Sequence, residues 1–279
     1  MLAEGRLTAG DVRGDVPFLF DHAVCLILTS RCDLACTYCY EVGREPCGDL
    51  PWDAAKAALD LVLAPGPASV EVAFTGGEPF LADALLRRCV GYARAASRPP
   101  TRLTLSASTN GLFLDGERAR FLAANDVELQ VSWDGDAQEE RAPGTSAAVR
   151  EGVARLAAAD PEWFRRRVRV AYTLTPANLA LLPASVETFL RAGLRTIVVS
   201  PAWGLPWPPA GELERALDGV LAEVARACAP LVRDGEPAPV TLLRPPQTRA
   251  GGDDGLCPCA AASPASFAVA PDGSAWGCS

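Results

Sequence analysis

The sequence predicts an α/β fold in which parallel strands alternate with helices, and two observations support this prediction. Six short apolar runs of strand character alternate with segments of helical periodicity. Such alternation is typical of β-α-β units, which pair their strands in parallel. Turns rich in polar residues and glycine follow several strands directly, at the end where parallel α/β folds place their functional groups. We expect strands over 23–29, 69–74, 102–107, 127–132, 167–174 and 195–200, and helices over 52–63, 82–96, 115–124, 145–159 and 180–192.

Composition favours one large domain with a small appendage. The chain has 279 residues, of which 49% are hydrophobic, enough for a substantial core. No run approaches the roughly 18 consecutive apolar residues of a membrane helix. The polar, acidic segment 1–20 lacks the features of a signal peptide. We therefore expect a cytoplasmic protein that does not associate with membranes.

Charge and cysteine content narrow the class of function further. The net charge of −8 and the pI near 4.8 argue against a nucleic-acid partner, which would require clustered lysine and arginine. The one basic run, Arg165 to Arg167, is interpreted as the C-terminal turn of a helix, where cations oppose the helix dipole. Ten cysteines in such a chain indicate metal binding more than disulfides.

The most informative feature is the C-x3-C-x2-C run formed by Cys32, Cys36 and Cys39. A cubane of four irons normally takes four thiolates. Three thiolates leave one iron open to a small molecule that can chelate it. The alternatives are three unrelated thiols or a structural zinc site, which needs four ligands. His22 is the only histidine, and Cys47 lies eight residues beyond Cys39, so the sequence offers no nearby fourth zinc ligand.

Further motifs follow the next strands. Gly76-Gly77-Glu78 ends the strand predicted over 69–74, and paired glycines there let backbone approach a ligand with no Cβ in the way. Taken alone, this motif would be interpreted as an ordinary turn from a strand to a helix. Asn110 stands in a Thr-Asn-Gly turn after the third strand, and the fourth strand ends in Ser132-Trp133-Asp134-Gly135. All of these side chains should meet at one edge of the sheet.

Together these motifs resemble the radical S-adenosylmethionine (SAM) superfamily, in particular the anaerobic sulfatase-maturating and other peptide-maturase members. The resemblance implies a partial (β/α)6 TIM-like barrel with a small C-terminal cysteine-containing β-hairpin extension. It also implies that Cys32, Cys36 and Cys39 hold a 4Fe-4S cluster whose open iron binds the amino and carboxylate groups of SAM. An electron from the cluster then cleaves SAM and releases a 5'-deoxyadenosyl radical.

The same resemblance assigns SAM-binding residues. Glu78 and the glycine backbone would contact the SAM ammonium, Ser132 would lie near the ribose or carboxylate, and Tyr38 would lie by the adenine. Arg141 would contact the SAM carboxylate, although its position after Glu139-Glu140 also fits a solvated arginine. The implied SAM-binding set is Tyr38, Gly76, Gly77, Glu78, Asn110, Ser132, Asp134 and Arg141.

The C-terminal part changes character after the sixth strand. Two tryptophans in the proline-rich run 200–209 could cover the mouth of a barrel or pack against the core, and a surface helix is expected over 213–227. Cys257, Cys259 and Cys278, with a hairpin between them, resemble the opening half of a SPASM extension, whose cysteines bind an auxiliary iron–sulfur cluster. A fourth ligand is not evident, although Cys228 could supply it. The extension is either naturally shortened, as in a twitch domain, or incomplete.

The predicted organisation is an N-terminal extension over 1–20, the radical SAM barrel over 21–230, and a linker with a truncated SPASM-like segment over 231–279. Three functions stay open. The first is hydrogen abstraction from a ribosomally synthesised peptide, which is oxidoreductase-like chemistry, and the second is a dehydrogenase acting on a sugar or aminocyclitol. The third is a non-catalytic iron–sulfur partner protein. By resemblance, a flavodoxin or ferredoxin would supply the electron.

Overall fold

The computed structural model describes residues 21–39, 47–64, 66–244 and 266–277. These residues belong to two compact units. One unit is drawn from Met1–Asp33, Glu45–Ala107 and Gln247–Ser279, and the other from Leu34–Arg44 and Ser108–Pro246. The predicted N-terminal extension and the cysteines Cys257, Cys259 and Cys278 lie outside the described residues.

The strands in the described segments are β1 (His22–Ile27), β2 (Ser69–Thr75), β3 (Arg102–Thr109), β4 (Glu128–Ser132), β5 (Val168–Leu174), β6 (Ile197–Pro201), β7 (Ser266–Val269) and β8 (Ala275–Trp276). The helices are α1 (Trp52–Leu63), α2 (Asp83–Ala96), α3 (Gly116–Ala124), α4 (Gln138–Arg141), α5 (Ser146–Ala159), α6 (Pro161–Arg167), α7 (Leu182–Arg191) and α8 (Ala210–Arg233). The bounds of the six predicted strands and of the five helices predicted among them are met to within about two residues.

The first unit is built on a sheet with the strand order β3-β2-β1-β7-β8. β1 pairs in parallel with β2, and β2 pairs in parallel with β3. The helix α2 buries Leu86, Cys89, Val90 and Ala93, the spacing of a single helical face. The helical periodicity of the sequence predicted this buried face of α2.

A C-terminal hairpin is present as predicted, and it joins the sheet. β7 and β8 pair antiparallel around the turn at 270–274, where Asp272 Oδ1 accepts the Ser274 N–H at 2.9 Å. β7 also pairs in parallel with β1, with Val24 opposite Phe267. The sequence did not predict this second pairing, because a four-residue strand carries no information about which sheet edge it meets.

The second unit contains the parallel strands β4, β5 and β6. Its core is aromatic: Trp133 and Tyr172 pack edge to face against Phe189 of α7, with ring centroids 4.9 and 6.3 Å away. The helix α4 was not predicted, and α6 was predicted only through its basic C-terminal turn. α6 begins at an Asp160-Pro161 start signal, in which Asp160 accepts the N–H groups of Glu162 and Trp163.

The basic run 165–167 and the two tryptophans of the proline-rich run 200–209 lie in this unit. The basic run 165–167 forms the last turn of α6, as predicted, and Arg167 pairs with Asp126 at 2.6 Å. Trp203 is 92% exposed, so it does not pack against the core, whereas Trp207 is half-buried and donates to the Ala202 carbonyl at 3.1 Å.

In the segments that the structure describes, no helix has the length and apolar character needed to cross a membrane.

Candidate active site

In the first unit, the chain that leaves β1 toward Cys32 is bound to the chain that leaves β2. The Gly77 N–H donates to the Thr29 carbonyl at 2.9 Å, and the Glu78 N–H donates to the Arg31 carbonyl at 2.8 Å. These bonds continue the parallel pairing of the two strands past their ends. The first cluster cysteine is therefore positioned by the Gly-Gly-Glu motif through backbone hydrogen bonds.

The two glycines are required because the backbones touch. A Cβ on Gly76 would lie 2.4 Å from the Thr29 carbonyl oxygen. A Cβ on Gly77 would lie 2.3 Å from the Arg31 carbonyl oxygen and 3.0 Å from the Cβ of Cys32. The sequence argument expected these glycines to admit a ligand. The structure shows a close approach of protein backbone, which the sequence could not identify.

Asp49 holds the same loop through side chains, and sequence reasoning missed it. Its Oδ1 accepts the Thr29 hydroxyl at 2.7 Å and Arg31 Nε at 3.0 Å, while its Oδ2 accepts Arg31 Nη2 at 2.8 Å. Arg31 also donates to the Leu81 carbonyl at 3.0 Å. The contact between Thr29 and Asp49 spans 20 residues of chain, so no local motif indicates it.

Glu78 is fully buried, and its position is set by the turn that follows it. Its Oε1 accepts the Phe80 N–H at 3.1 Å and caps the 3-10 turn Pro79–Ala82. This bond orients the carboxylate from within the motif. Its contact with a SAM ammonium stays a prediction.

Cys36 and Cys39 lie in one turn of the second unit, where the Cys39 N–H donates to the Cys36 carbonyl at 3.0 Å. Cys36 is buried, Cys39 is half-buried, and Cys32 of the first unit is exposed. Burial raises the pKa of Cys36, and the nearby Arg141 opposes that rise.

Three thiols on one short loop are the donor set that an iron–sulfur cluster with one open iron requires. The chemistry of the loop therefore fits the cluster. Among the residues that the structure describes, however, no group of three or more His, Cys, Asp or Glu side chains is close enough to hold a metal ion.

Asp134, two residues after the end of β4, is a buried carboxylate of the second unit with several hydrogen-bond donors. Its side chain is 1% exposed. Oδ2 accepts a short hydrogen bond from the Tyr38 hydroxyl, and Oδ1 accepts the Thr173 N–H at 2.8 Å. Burial raises the pKa of the Asp134 carboxyl, although Arg141 and these two donors partly offset the rise. Burial also raises the pKa of Tyr38, so its hydroxyl keeps its proton and donates.

Arg141 lies beside this carboxylate, so its interpretation as a solvated arginine is wrong. Its side chain is 11% exposed, and Nη1 lies 3.4 Å from Asp134 Oδ1. Its Cζ is 5.6 Å from the centre of the Tyr38 ring. Its Nε is buried and has no hydrogen-bond partner within the described residues. Arg141 therefore keeps a donor that a ligand could use.

Asn110 and Ser132 lie where the sequence placed them, at strand ends. Asn110 is buried, and its Oδ1 accepts the Leu112 N–H at 3.0 Å, which shapes the turn after β3. Ser132 is the last residue of β4 and is half-buried. Contacts of either residue with SAM remain predictions.

A cavity of about 400 Å³ opens beside Tyr38 and Arg141 within the second unit. This volume lies in the usual range for sites that bind small molecules. Its lining is Thr37, Tyr38, Glu140, Arg141, Thr175, Pro176, Ala177, Asn178, Leu205 and Pro206. The stretch 175–178 was not predicted. It is shaped by Asn178, whose Oδ1 accepts the Thr175 N–H at 2.8 Å and whose Nδ2 donates to the Thr173 carbonyl at 2.9 Å.

The fold and the cysteine loop define a class, and comparison with known proteins identifies it. The sequence profile of the Radical SAM superfamily matches residues 26–175, which is 150 of the 279 residues. The chain belongs to the radical SAM superfamily. The two cofactors of this superfamily are S-adenosylmethionine and a 4Fe-4S cluster.

Sequence relatives include the GTP 3',8-cyclase of Synechococcus sp. (strain CC9902), which is 37% identical over 111 residues, or 39% of this chain and 31% of the relative. The GTP 3',8-cyclase of Mycobacterium marinum (strain ATCC BAA-535 / M) is 33% identical over 144 residues, or 47% of this chain and 38% of the relative. The matches thus span about a third of the length of these relatives.

Solved structures give longer matches at lower identity. The structure of anSMEcpe with bound AdoMet superposes with a TM-score of 0.73 at 17% identity, covering 92% of this chain and 74% of that one. Streptococcus suis SuiB bound to precursor peptide SuiA superposes with a TM-score of 0.67 at 13% identity, covering 93% of this chain and 60% of that one. These likenesses confirm the predicted fold class, the partial α/β barrel of the superfamily.

Proposed function

We propose that this protein is a radical SAM enzyme that reductively cleaves SAM and abstracts hydrogen from a peptide substrate. The observation that carries the proposal is the joining of the C-x3-C-x2-C loop to the Gly-Gly-Glu turn, within the segment that matches the superfamily. When bound, the cluster supplies the electron that breaks a carbon–sulfur bond of SAM. The protein supplies binding, orientation and shielding.

Cys32, Cys36 and Cys39 would hold three irons of the cluster and leave the fourth for SAM. Arg141 would receive the SAM carboxylate, because its buried Nε offers a donor that is not used within the described residues. Glu78 would receive the ammonium group, with its carboxylate oriented by the Phe80 N–H. The family resemblance adds Tyr38, Gly76, Gly77, Asn110, Ser132 and Asp134 to this set.

The cavity beside Tyr38 and Arg141 would receive the adenosyl part of SAM. Its size suits such a ligand, and its lining includes the apolar residues Pro176, Ala177, Leu205 and Pro206. A primary carbon radical attacks any C–H bond it meets, so it has to be kept from water and loose side chains. The short side chain of Ala177 and the rigid rings of Pro176 and Pro206 would place few mobile C–H bonds beside such a radical.

A peptide substrate is proposed because solved structures that superpose on this chain contain bound peptides. They include SuiB with precursor peptide SuiA and anSMEcpe with Kp18Cys peptide. The cyclase relatives favour the second candidate, a radical SAM enzyme that acts on a small molecule. A dehydrogenase of a sugar or aminocyclitol belongs to that second group.

An auxiliary cluster held by Cys257, Cys259 and Cys278 is part of the proposal, as is a flavodoxin or ferredoxin reductant. The support is indirect. The β7–β8 hairpin stands between these cysteines in sequence, as in the SPASM pattern that the sequence resembles. The fourth ligand would come from substrate or from elsewhere in the chain. Cys228 is an unfavourable choice because it is buried in α8, and burial raises the pKa of its thiol.

The test is replacement of Cys32, Cys36 and Cys39 together by alanine. The wild-type protein, reconstituted anaerobically, should release 5'-deoxyadenosine when given SAM and a reductant, and the triple variant should not. The variant should also lose about four irons per chain. Cys47→Ala is the matched control, because this exposed cysteine lies outside the motif and should be dispensable. Reductive cleavage of SAM by the triple variant would overturn the proposal.

Two measurements on the wild-type protein then separate the finer alternatives. About eight irons per chain by Mössbauer spectroscopy would support one auxiliary cluster, and about four would exclude it. A library of precursor peptides and a panel of nucleotides and sugars should be compared for stimulated release of 5'-deoxyadenosine. Stimulation by the small molecules alone would replace the peptide assignment with the second candidate.

A further inference from the structure

Asp134 belongs to the set that the family resemblance assigns to SAM, yet its carboxylate has little left to offer a ligand. Oδ2 is taken by the Tyr38 hydroxyl, and Oδ1 by the Thr173 N–H at 2.8 Å with Arg141 Nη1 at 3.4 Å. The side chain is 1% exposed. Within the described residues these donors leave one of the roughly four acceptor positions of the carboxylate, on Oδ2. A ligand amino or hydroxyl group would have to enter this buried site or displace one of the donors, at a high desolvation cost.

We infer that Asp134 is a positioning residue that locks Tyr38 of the cysteine loop and Arg141 into one arrangement, without touching SAM itself. This inference deepens the proposed function and rests on it for its meaning, since Tyr38 and Arg141 are assigned there to the cluster loop and to SAM. The contacts themselves lie within the second unit and do not depend on the function.

The backbone that presents Asp134 is itself rigid. Its N–H donates to Gln138 Oε1 at 2.9 Å, and its carbonyl accepts the Ser185 hydroxyl at 3.3 Å. Gly135 follows with φ +58°, and a Cβ there would lie 2.6 Å from the Cβ of Ser185. The turn is thus packed against α7 and cannot drift. A carboxylate on such a turn is a fixed point for whatever binds it.

The Asp134 carboxylate binds Tyr38 and Arg141, which belong to two parts of the proposed site. Tyr38 directly precedes the cluster cysteine Cys39, which is hydrogen-bonded through its N–H to Cys36. Arg141 lies near enough to Cys36 to offset part of the rise in the pKa of its thiol, and it faces Asp134. A single buried carboxylate therefore ties two cluster cysteines to the arginine assigned to SAM. Loss of the Asp134 carboxylate should therefore make the cysteine loop and Arg141 more mobile together.

Three variants test the inference: Asp134→Asn, Tyr38→Phe and their combination. Tyr38→Phe keeps the ring and removes only the hydroxyl, so it probes the same contact if Asp134→Asn does not fold. Asp136→Asn is the matched control, because Asp136 lies two residues away and its Oδ1 binds Thr188, outside the network. Thermal unfolding of the protein without iron, SAM affinity, and the EPR spectrum of the reduced cluster should be measured for each.

The combined variant should be no worse than the more damaging single variant, both in melting temperature without iron and in SAM affinity. Each single variant should raise the SAM Kd by roughly 10- to 100-fold and change the EPR spectrum measured before SAM is added. Asp136→Asn should leave all three readouts unchanged.

Different failures have different meanings. Additive losses of SAM affinity with an unchanged EPR spectrum would show that Asp134 contacts SAM directly and would overturn the inference. A lower melting temperature with normal SAM affinity and a normal spectrum would reduce Asp134 to a purely structural residue. Absence of reductive SAM cleavage in the wild-type protein would instead refute the proposed function. The non-additivity without iron would still test the contact.

Discussion

Replacement of Gly77 by alanine should displace the loop that carries Cys32, because the two backbones are in contact there. The added Cβ would lie 2.3 Å from the Arg31 carbonyl oxygen and 2.6 Å from the Arg31 carbonyl carbon. These are backbone atoms, so no side-chain rotation relieves the overlap. Either the strand end or the cysteine loop has to move.

The magnitude follows from two contributions. Overpacking of a close contact costs about 1–3 kcal/mol. The displaced backbone would also weaken the bond from the Gly77 N–H to the Thr29 carbonyl, 2.9 Å long, or the bond from Glu78 to Arg31, and a lost backbone hydrogen bond costs about 1 kcal/mol. The free energy of unfolding should therefore fall by about 2–4 kcal/mol. In a chain of this size that lowers the Tm by roughly 4–16 °C.

Circular dichroism of the protein without iron measures the Tm, and iron analysis after anaerobic reconstitution measures the effect on the cluster. Gly77→Ala should lower both the Tm and the bound iron, since Cys32 moves with the loop. Gly91→Ala is the matched control: Gly91 is exposed in α2, its Cβ would meet nothing within 4 Å, and alanine in a helix should stabilise by about 1 kcal/mol. A Gly77→Ala protein with the wild-type Tm and full iron would refute the argument.

Two further substitutions test the local chemistry. Asp115→Ala removes the cap at the start of α3, where Asp115 Oδ1 accepts the Arg118 N–H at 2.8 Å, and should destabilise the protein by about 1 kcal/mol in urea unfolding, whereas Asp115→Asn should not. The Arg118 N–H is the largest cause that lowers the pKa of Asp115, so the stabilisation due to the charge is present at neutral pH and is lost as the pH falls through the lowered pKa. The difference in stability between wild type and Asp115→Ala should therefore narrow below about pH 4, and a difference that widens in acid would contradict the assignment. Glu78→Gln should weaken SAM binding by roughly one to two decades in equilibrium dialysis while iron content stays unchanged, and unaltered affinity would make Glu78 a turn residue only.

The sequence by itself determined the alternation of strands and helices and the order of the motifs. Burial alternates along β5 with a period of two, and α2 buries one face with helical spacing, so each element records its environment in its own residues. Strand ends follow from the same patterns. The placement of the cysteine loop, the Gly-Gly-Glu turn and Ser132 at strand ends could therefore be predicted from local sequence.

The tertiary structure alone decided which residues those motifs contact. The bond from Tyr38 to Asp134 joins positions 96 residues apart, and the pairing of Asp49 with Arg31 crosses 18 residues without a motif. Arg141 could not be distinguished from a solvated arginine until its burial beside Asp134 was known. Local sequence encodes which apolar side chains of a strand or helix are buried, but it does not show whether a charged side chain is buried. The partner of a buried charge depends on how distant segments fold together, and that information lies in the tertiary structure.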